Sequence, residues 1–287
     1  MAKGRELKSR IKSVENTRKI TRTLEMVATS KLKRTQDRVA AARPYAQALG
    51  DVIASLYSAE LAERFPLLRQ PAHAKRAAVI LMTANRGLAG AFNANLIKEA
   101  RATLARLESE GVAVELHVVG RRGIGYFRYV GRAVASSRTD IGDRPTAENA
   151  AELVNGLADA FGRGELDAVY VVYPQFKSVL SSPPTTVQVL PVKPPAAGGR
   201  QRDYILAPNA ETILGELLPL YVRNAIYRAL VEMTAAFYAS QRTAMKNATD
   251  NASDMLKVLG RTYNRARQAG ITQEIAEIVG GAAALQG

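Results

Sequence analysis

His73 and His117 are the only imidazoles in 287 residues, and there is no cysteine. Disulfides, iron–sulfur clusters, thiolate zinc sites and thiol nucleophiles are therefore excluded. Two histidines leave little for metal ligation or acid–base work. His117 lies inside an apolar strand pattern and reads as structural, whereas His73 falls in a polar connector. Ser178, Ser181 and Ser182 occur without the G-x-S-x-G context of a nucleophile elbow, and no pair of carboxylates stands out. Thr83-Ala-Asn-Arg-Gly-Leu-Ala-Gly-Ala-Phe offers Gly87 and Gly90 between a strand and a helix, where doubly wound folds bind phosphate. It has neither G-x-G-x-x-G nor G-K-[ST], and Arg86 is its one cation, so a tight turn feeding a helix is the expectation. Gly120, Gly123 and Gly125 in VGRRGIG are spaced wrongly for a dinucleotide. No catalytic residue, cofactor or metal is predicted.

What remains is charge. Lys and Arg number 40 against 26 Asp and Glu, a net of +14 with a pI near 10.1, which calls for an acidic partner. Within residues 1–43, thirteen Lys or Arg stand against four carboxylates, and within 242–267 six stand against two. The excess is thus concentrated near the two ends, while the middle is nearly neutral. No apolar run approaches the roughly 18–20 residues that span a bilayer. The basic start has no apolar h-region behind it, and the expectation is a soluble, cytoplasmic chain.

Long helices must carry these charges. Residues 1–66 are rich in Ala, Leu, Lys, Arg and Glu, with Pro44 the main interruption, and read as one helix. Ala28, Leu32, Thr35, Val39, Ala42, Ala46, Leu49, Ile53 and Leu56 alternate steps of four and three, a heptad seam. Upstream, Leu7, Ile11 and Val14 give way to Ile20, Leu24 and Val27, which predicts a drift of the buried stripe. Residues 209–287 form the second long helix, kinked at Pro219, with a seam through Met245, Ala248, Ala252, Met255, Leu259, Thr262, Ala266 and Ala269. The two are expected to pair as an antiparallel coiled coil. Between them, 72–208 alternates apolar strands with amphipathic helices and predicts an α/β domain with a Rossmann-like, mostly parallel sheet. FKSVLSS and TTVQVLPV, either side of SPP, read as an added hairpin, followed by the polar loop KPPAAGGRQRD.

The helices are unequal. At ~1.5 Å per residue the N-terminal one runs roughly 90 Å and the C-terminal one roughly 114 Å, so about 15 residues of the latter lack a partner within the chain. Ile271, Ile275, Ile278, Val279, Ala282, Ala283 and Leu285 lie there. An apolar helix alone in water is unstable, so this end is expected to insert into another protein.

Three stretches, ELKSRIKSVENTRKITRTLEMVATSKLKR, TANRGLAGAFNANL and AMKNATDNASDM with YNRARQAGITQEIAEIVGGAAAL, make the chain resemble the γ subunit of bacterial F-type ATP synthase over its whole length. The resemblance implies a non-catalytic central rotor. Its coiled coil would turn inside a hexamer of α and β subunits, and its α/β domain would rest on the c-ring beside ε. One copy is implied per complex, bound peripherally on the cytoplasmic side of the plasma membrane. It implies contacts of Arg267, Gln268, Thr272, Gln273 and Glu274 with catch loops of the hexamer, with Ile275, Ile278 and Val279 in the inserted end. It places Lys31, Lys33 and Arg34 near acidic levers of β. Where the family commonly carries an acid and a cysteine, this chain has Asn85 and Ala89. Two alternatives stand beside this reading: a basic coiled-coil nucleic-acid-binding protein, and a doubly wound nucleotide-binding enzyme.

Overall fold

The computed structural model describes residues 2–56, 64–71, 73–193 and 209–286, with the side chains of 2–4 and 283–286 outside that description. Most of the polar loop after Lys193 and part of the expected end of the N-terminal helix thus lie outside the described residues. So do the side chains of Ala283 and Leu285.

Eleven elements follow in order. Helix α1 (Ala2–Leu56) is followed by a 3-10 turn (Pro66–Leu68), β1 (Arg76–Met82), α2 (Phe92–Ser109), β2 (Ala113–Val119) and α3 (Arg121–Tyr129). Then come β3 (Ser136–Arg138), α4 (Ala147–Gly162), β4 (Ala168–Pro174), β5 (Pro184–Leu190) and α5 (Ala210–Gln286). Pro44 and Pro219 sit inside their helices. The chain divides into two compact units, one of Met1–Ala28 with Gln241–Gly287, the other of Thr29–Ser240.

In the larger unit the strands lie in the order β3-β2-β1-β4-β5. β1, β2, β3 and β4 are parallel, and β5 runs antiparallel against β4. This is the mostly parallel sheet that the alternating pattern predicts. Ala77 through Met82 are fully buried, as a central strand covered on both faces requires. Thr146 caps α4 in a reciprocal capping box with Asn149.

The expected hairpin needs correction. FKSVLSS is not a strand: Ser178 Oγ accepts from the backbone N–H of Leu180 and Ser181, which turns the segment into a loop. The last strand folds back on β4 instead, from Val169 opposite Leu190 to Pro174 opposite Pro184. Proline is tolerated there because β5 is an edge. β3 is short and pairs with the end of β2, His117 lying opposite Ser136.

Residues 29–56 of α1 bury Leu32, Thr35, Val39, Ala46, Leu49, Ile53 and Leu56, with Ala42 half-buried, along the predicted seam. On α5, Leu214, Leu218, Val222, Ile226, Ala229 and Leu230 are buried within the same unit. Lys31 meets Tyr238 and Arg64 meets Glu211, so the chain directions here are opposed.

In the smaller unit two seam expectations fail. Thr21 and Ala28 are buried, and Leu7, Ile11, Val14, Arg18 and Glu25 are half-buried, so the stripe holds one phase from residue 7 onward. Of the drifted set, Ile20 and Val27 are 60% and 46% exposed, while Leu24 is half-buried. The reason is steric and polar: Thr21 is small, and its hydroxyl donates to Arg18 O at 3.1 Å and accepts from Thr249 Oγ1 at 2.8 Å. A polar residue with both bonds made fits a close helix approach better than an isoleucine does. On α5 the inward positions are Met245, Thr249, Ala252, Leu256, Leu259, Tyr263, Ala266 and Gly270. Met255, Thr262 and Ala269 of the expected seam are exposed, and Ala248 is only half-buried.

Candidate functional site

The turn after β1 is closed by its own side chains. Asn93 Oδ1 accepts from the Ala84 N–H at 3.0 Å, and Asn93 Nδ2 donates to Arg86 O at 3.3 Å. Asn85 Oδ1 accepts from the Arg121 N–H at 3.0 Å, and its amide donates to the carbonyls of Thr139 and Ile141. Gly120 must be glycine, since its φ is +96° and a Cβ would lie 2.1 Å from Thr83 O. Gly120 thus serves the close approach of β2's end to β1.

Arg86 leaves this turn and reaches Asp143, in the loop between β3 and α4. Asp143 is a convergence point. Lys31 Nζ donates to Asp143 Oδ2 at 2.9 Å and Arg86 donates to Oδ1, while Arg38 Nη1 donates to the Asp143 backbone carbonyl at 3.3 Å. Tyr238 OH accepts from Arg86 Nη2 at 2.8 Å and from Lys31 Nζ at 3.2 Å. Burial alone would raise the Asp143 pKa, but hydrogen bonds from Tyr238, Lys31 and Arg86 outweigh it and hold the carboxyl at about 2. The same bonds raise the Lys31 pKa, led by that to Asp143. The Phe237 ring meets that of Tyr238 edge-on at 5.3 Å.

A second tie runs from α5 to the loop after β4. Glu232, buried in an otherwise apolar stretch, accepts the Phe176 N–H at 3.0 Å. Arg228 lies 3.6 Å from its other oxygen. Burial first, and the Glu232 charge second, push Tyr173 up to about 12.

Of the residues singled out from sequence, Lys31 joins this cluster and is committed within the chain. Lys33 and Arg34, two and three positions on, are exposed, with Lys33 bonded to Asp37 at 3.0 Å along the helix. In the smaller unit Arg267, Gln268, Thr272, Gln273 and Glu274 are all exposed, and every residue from 271 to 282 faces outward. Ile271, Ile275, Ile278 and Val279 are 48–71% exposed and fall on one side of the helix at steps of three and four. Thr272 Oγ1 donates to Gln268 O and Gln273 Nε2 to Glu277 Oε1, bonds local to the helix. Asp143, Tyr238 and Glu232 were not among the sequence candidates. Glu232 had a signal, a lone acid in AIYRALVEMTAAFY, whereas Asp143 sits in a loop without periodicity. His117 Nδ1 pairs with Ser136 Oγ at 2.6 Å, while its buried Nε2 has no hydrogen-bond partner among the described residues, so the ring is only half satisfied; burial lowers its pKa.

The sequence profile of the ATP synthase family matches residues 3–285. The ATP synthase gamma chain of Gemmatimonas aurantiaca is 68% identical over 290 residues, covering all of both chains. The chain belongs to the ATP synthase gamma family. The gamma chain of Stenotrophomonas maltophilia is 41% identical over 288 residues, covering 99% of this chain and 100% of that one. Among solved structures, a chain of the Euglena gracilis mitochondrial ATP synthase (OSCP/F1/c-ring) aligns over 99% of this chain and 95% of its own at TM-score 0.69 and 18% identity. One from the Tetrahymena thermophila central stalk and c-ring covers 80% and 99% at TM-score 0.61 and 24% identity. These two likenesses show the fold alone. Gamma-family membership selects the rotor reading over the nucleic-acid and nucleotide-enzyme alternatives. No helix among the described residues is long and apolar enough to cross a membrane.

Proposed function

We propose that this gamma chain is the central rotor shaft of an F-type ATP synthase, coupling proton-driven rotation of a c-ring to ATP synthesis or hydrolysis on β subunits. One copy would stand in a hexamer of α and β, with ε beside it, peripheral to the cytoplasmic face of the membrane and itself non-catalytic. One observation carries this reading: the end of α5 exposes branched apolar side chains over three turns, and among the described residues none covers them. Such a face needs a socket supplied from outside. Arg267, Gln268, Thr272, Gln273 and Glu274 form the polar margin that would meet the hexamer's catch loops, while Ile275, Ile278 and Val279 fill the socket. Exposed polar contacts of this kind are individually worth about 0–1 kcal/mol, weak enough to be exchanged as the shaft turns. Of the basic trio, exposed Lys33 and Arg34 suit the acidic levers of β, and Lys31 suits an internal role.

Co-expression with α and β subunits tests the proposal. One copy of the chain is expected to co-purify with three of each; a chain that stays alone and monodisperse would overturn it.

A further inference from the structure

Four segments distant in sequence meet around Asp143, which the loop before α4 carries: α1 through Lys31 on its carboxylate and Arg38 on its backbone carbonyl, the turn after β1 through Arg86 on the carboxylate, and α5 through the Tyr238 hydroxyl, which accepts from both Lys31 and Arg86. All belong to the compact unit Thr29–Ser240. Lys31 and Tyr238 each lie two residues inside its limits, at the points where α1 and α5 leave it. The placement matters because the hydrophobic driving force of an apolar seam has no direction of its own. Charge-assisted hydrogen bonds have fixed directions and fail when a helix turns under them. Asp143 receives donors from both long helices and from the sheet's own turn, so neither helix can rotate against the sheet without breaking bonds to it. Its side chain is 38% exposed, beside Lys31 at 37% and Arg86 at 54%, so these bonds are formed near the surface and are salt-sensitive.

We infer that Asp143 is a positioning residue for torque transfer, a pin that fixes α1 and α5 to the sheet where both helices exit the α/β unit. The inference rests on the rotor reading. Torque applied to the sheet unit then passes into the two helices through the carboxylate and the Tyr238 hydroxyl, and the seam keeps its register under load. The buried Glu232 tie to Phe176 lies a helical turn and a half further in and holds α5 at a second point.

The test uses the complete ATP synthase in vesicles, with ATP hydrolysis and ATP-driven proton pumping measured on the same sample. Asp143→Ala is expected to retain hydrolysis while lowering protons pumped per ATP by about twofold or more. Asp143→Glu, which keeps the charge, restores the ratio. Tyr238→Phe removes a single hydroxyl and lowers the ratio less. It adds nothing in the Asp143→Ala background, because both act through one node. An unchanged ratio in assembled Asp143→Ala complexes overturns the pin, as does a Tyr238→Phe loss that adds in full. If Asp143→Ala does not assemble, Tyr238→Phe decides alone, an unchanged ratio overturning the inference. A complex that forms without this chain overturns the rotor reading itself, an outcome distinct from a bound but fully coupled variant.

Discussion

Asp143 carries its charge in a half-buried place because three donors reach it, and that has a consequence for acid stability. Its carboxyl titrates at about 2 in the folded chain against 3.8 for the ordinary group. A lowered pKa adds stability that is complete above the unfolded value and is lost as pH falls from about 4 through 2. Discounted for the exposure of the cluster, the contribution is of order 1 kcal/mol. Asp143→Asn should therefore be less stable than the parent by about that much above pH 5, with the gap closing towards pH 2. Urea unfolding of both chains across that range measures it, and a gap independent of pH would refute the assignment. Lys31 was legible beforehand only through its place in a family pattern, and its partner was not legible at all. The loop bearing Asp143 has no period, and its contact with α1 spans 112 residues. Glu232 could have been suspected from its apolar surroundings, because a buried carboxylate requires a partner.

The helices show how far periodicity reaches. From residue 28 to 56 the alternation of four- and three-residue steps locates the buried stripe of α1, with Thr35 its one polar member. In the smaller unit the stripe runs through Thr21, Thr249 and Gly270, small or polar residues that a hydrophobic pattern passes over, while bulky Ile20 and Met255 face outward. On α5 a stepping that leaves Met245 by three rather than four shifts the register by one position at every other step, passing over Leu256 and Tyr263 as well as Thr249 and Gly270. The two assignments make opposite forecasts. Leu259→Ala, buried in both, should cost about 2 kcal/mol or more. Met255→Ala should change stability by no more than about 0.5 kcal/mol, because Met255 lies outside the true stripe. Denaturant melts of the full chain separate them, and a large loss for Met255→Ala would restore the other seam. The α/β elements are legible, α2 at Phe92–Ser109 among them, because apolar strands alternating with amphipathic helices leave strong local signals. The misplaced hairpin came from reading a serine-rich turn as a strand.

At the scale of the whole chain, the division of labour follows burial. Residues 29–240 hold the sheet and nearly all of the large buried side chains, whereas 271–282 contribute no buried group. Removing residues 271–287 should leave unfolding of the sheet unit unchanged to within about 1 kcal/mol. The same truncation should weaken incorporation into the complex or its coupling. Circular dichroism melts and ATP-driven pumping check the two halves, and full coupling in the truncated form would contradict the socket role of this end. The outward isoleucines also bear on how a cell must handle the protein. A copy made in excess of its assembly sites carries a greasy helix that will find either another such helix or a protease. Supply must therefore be matched to demand at synthesis, and surplus copies are expected in aggregates or degraded, never as a reserve.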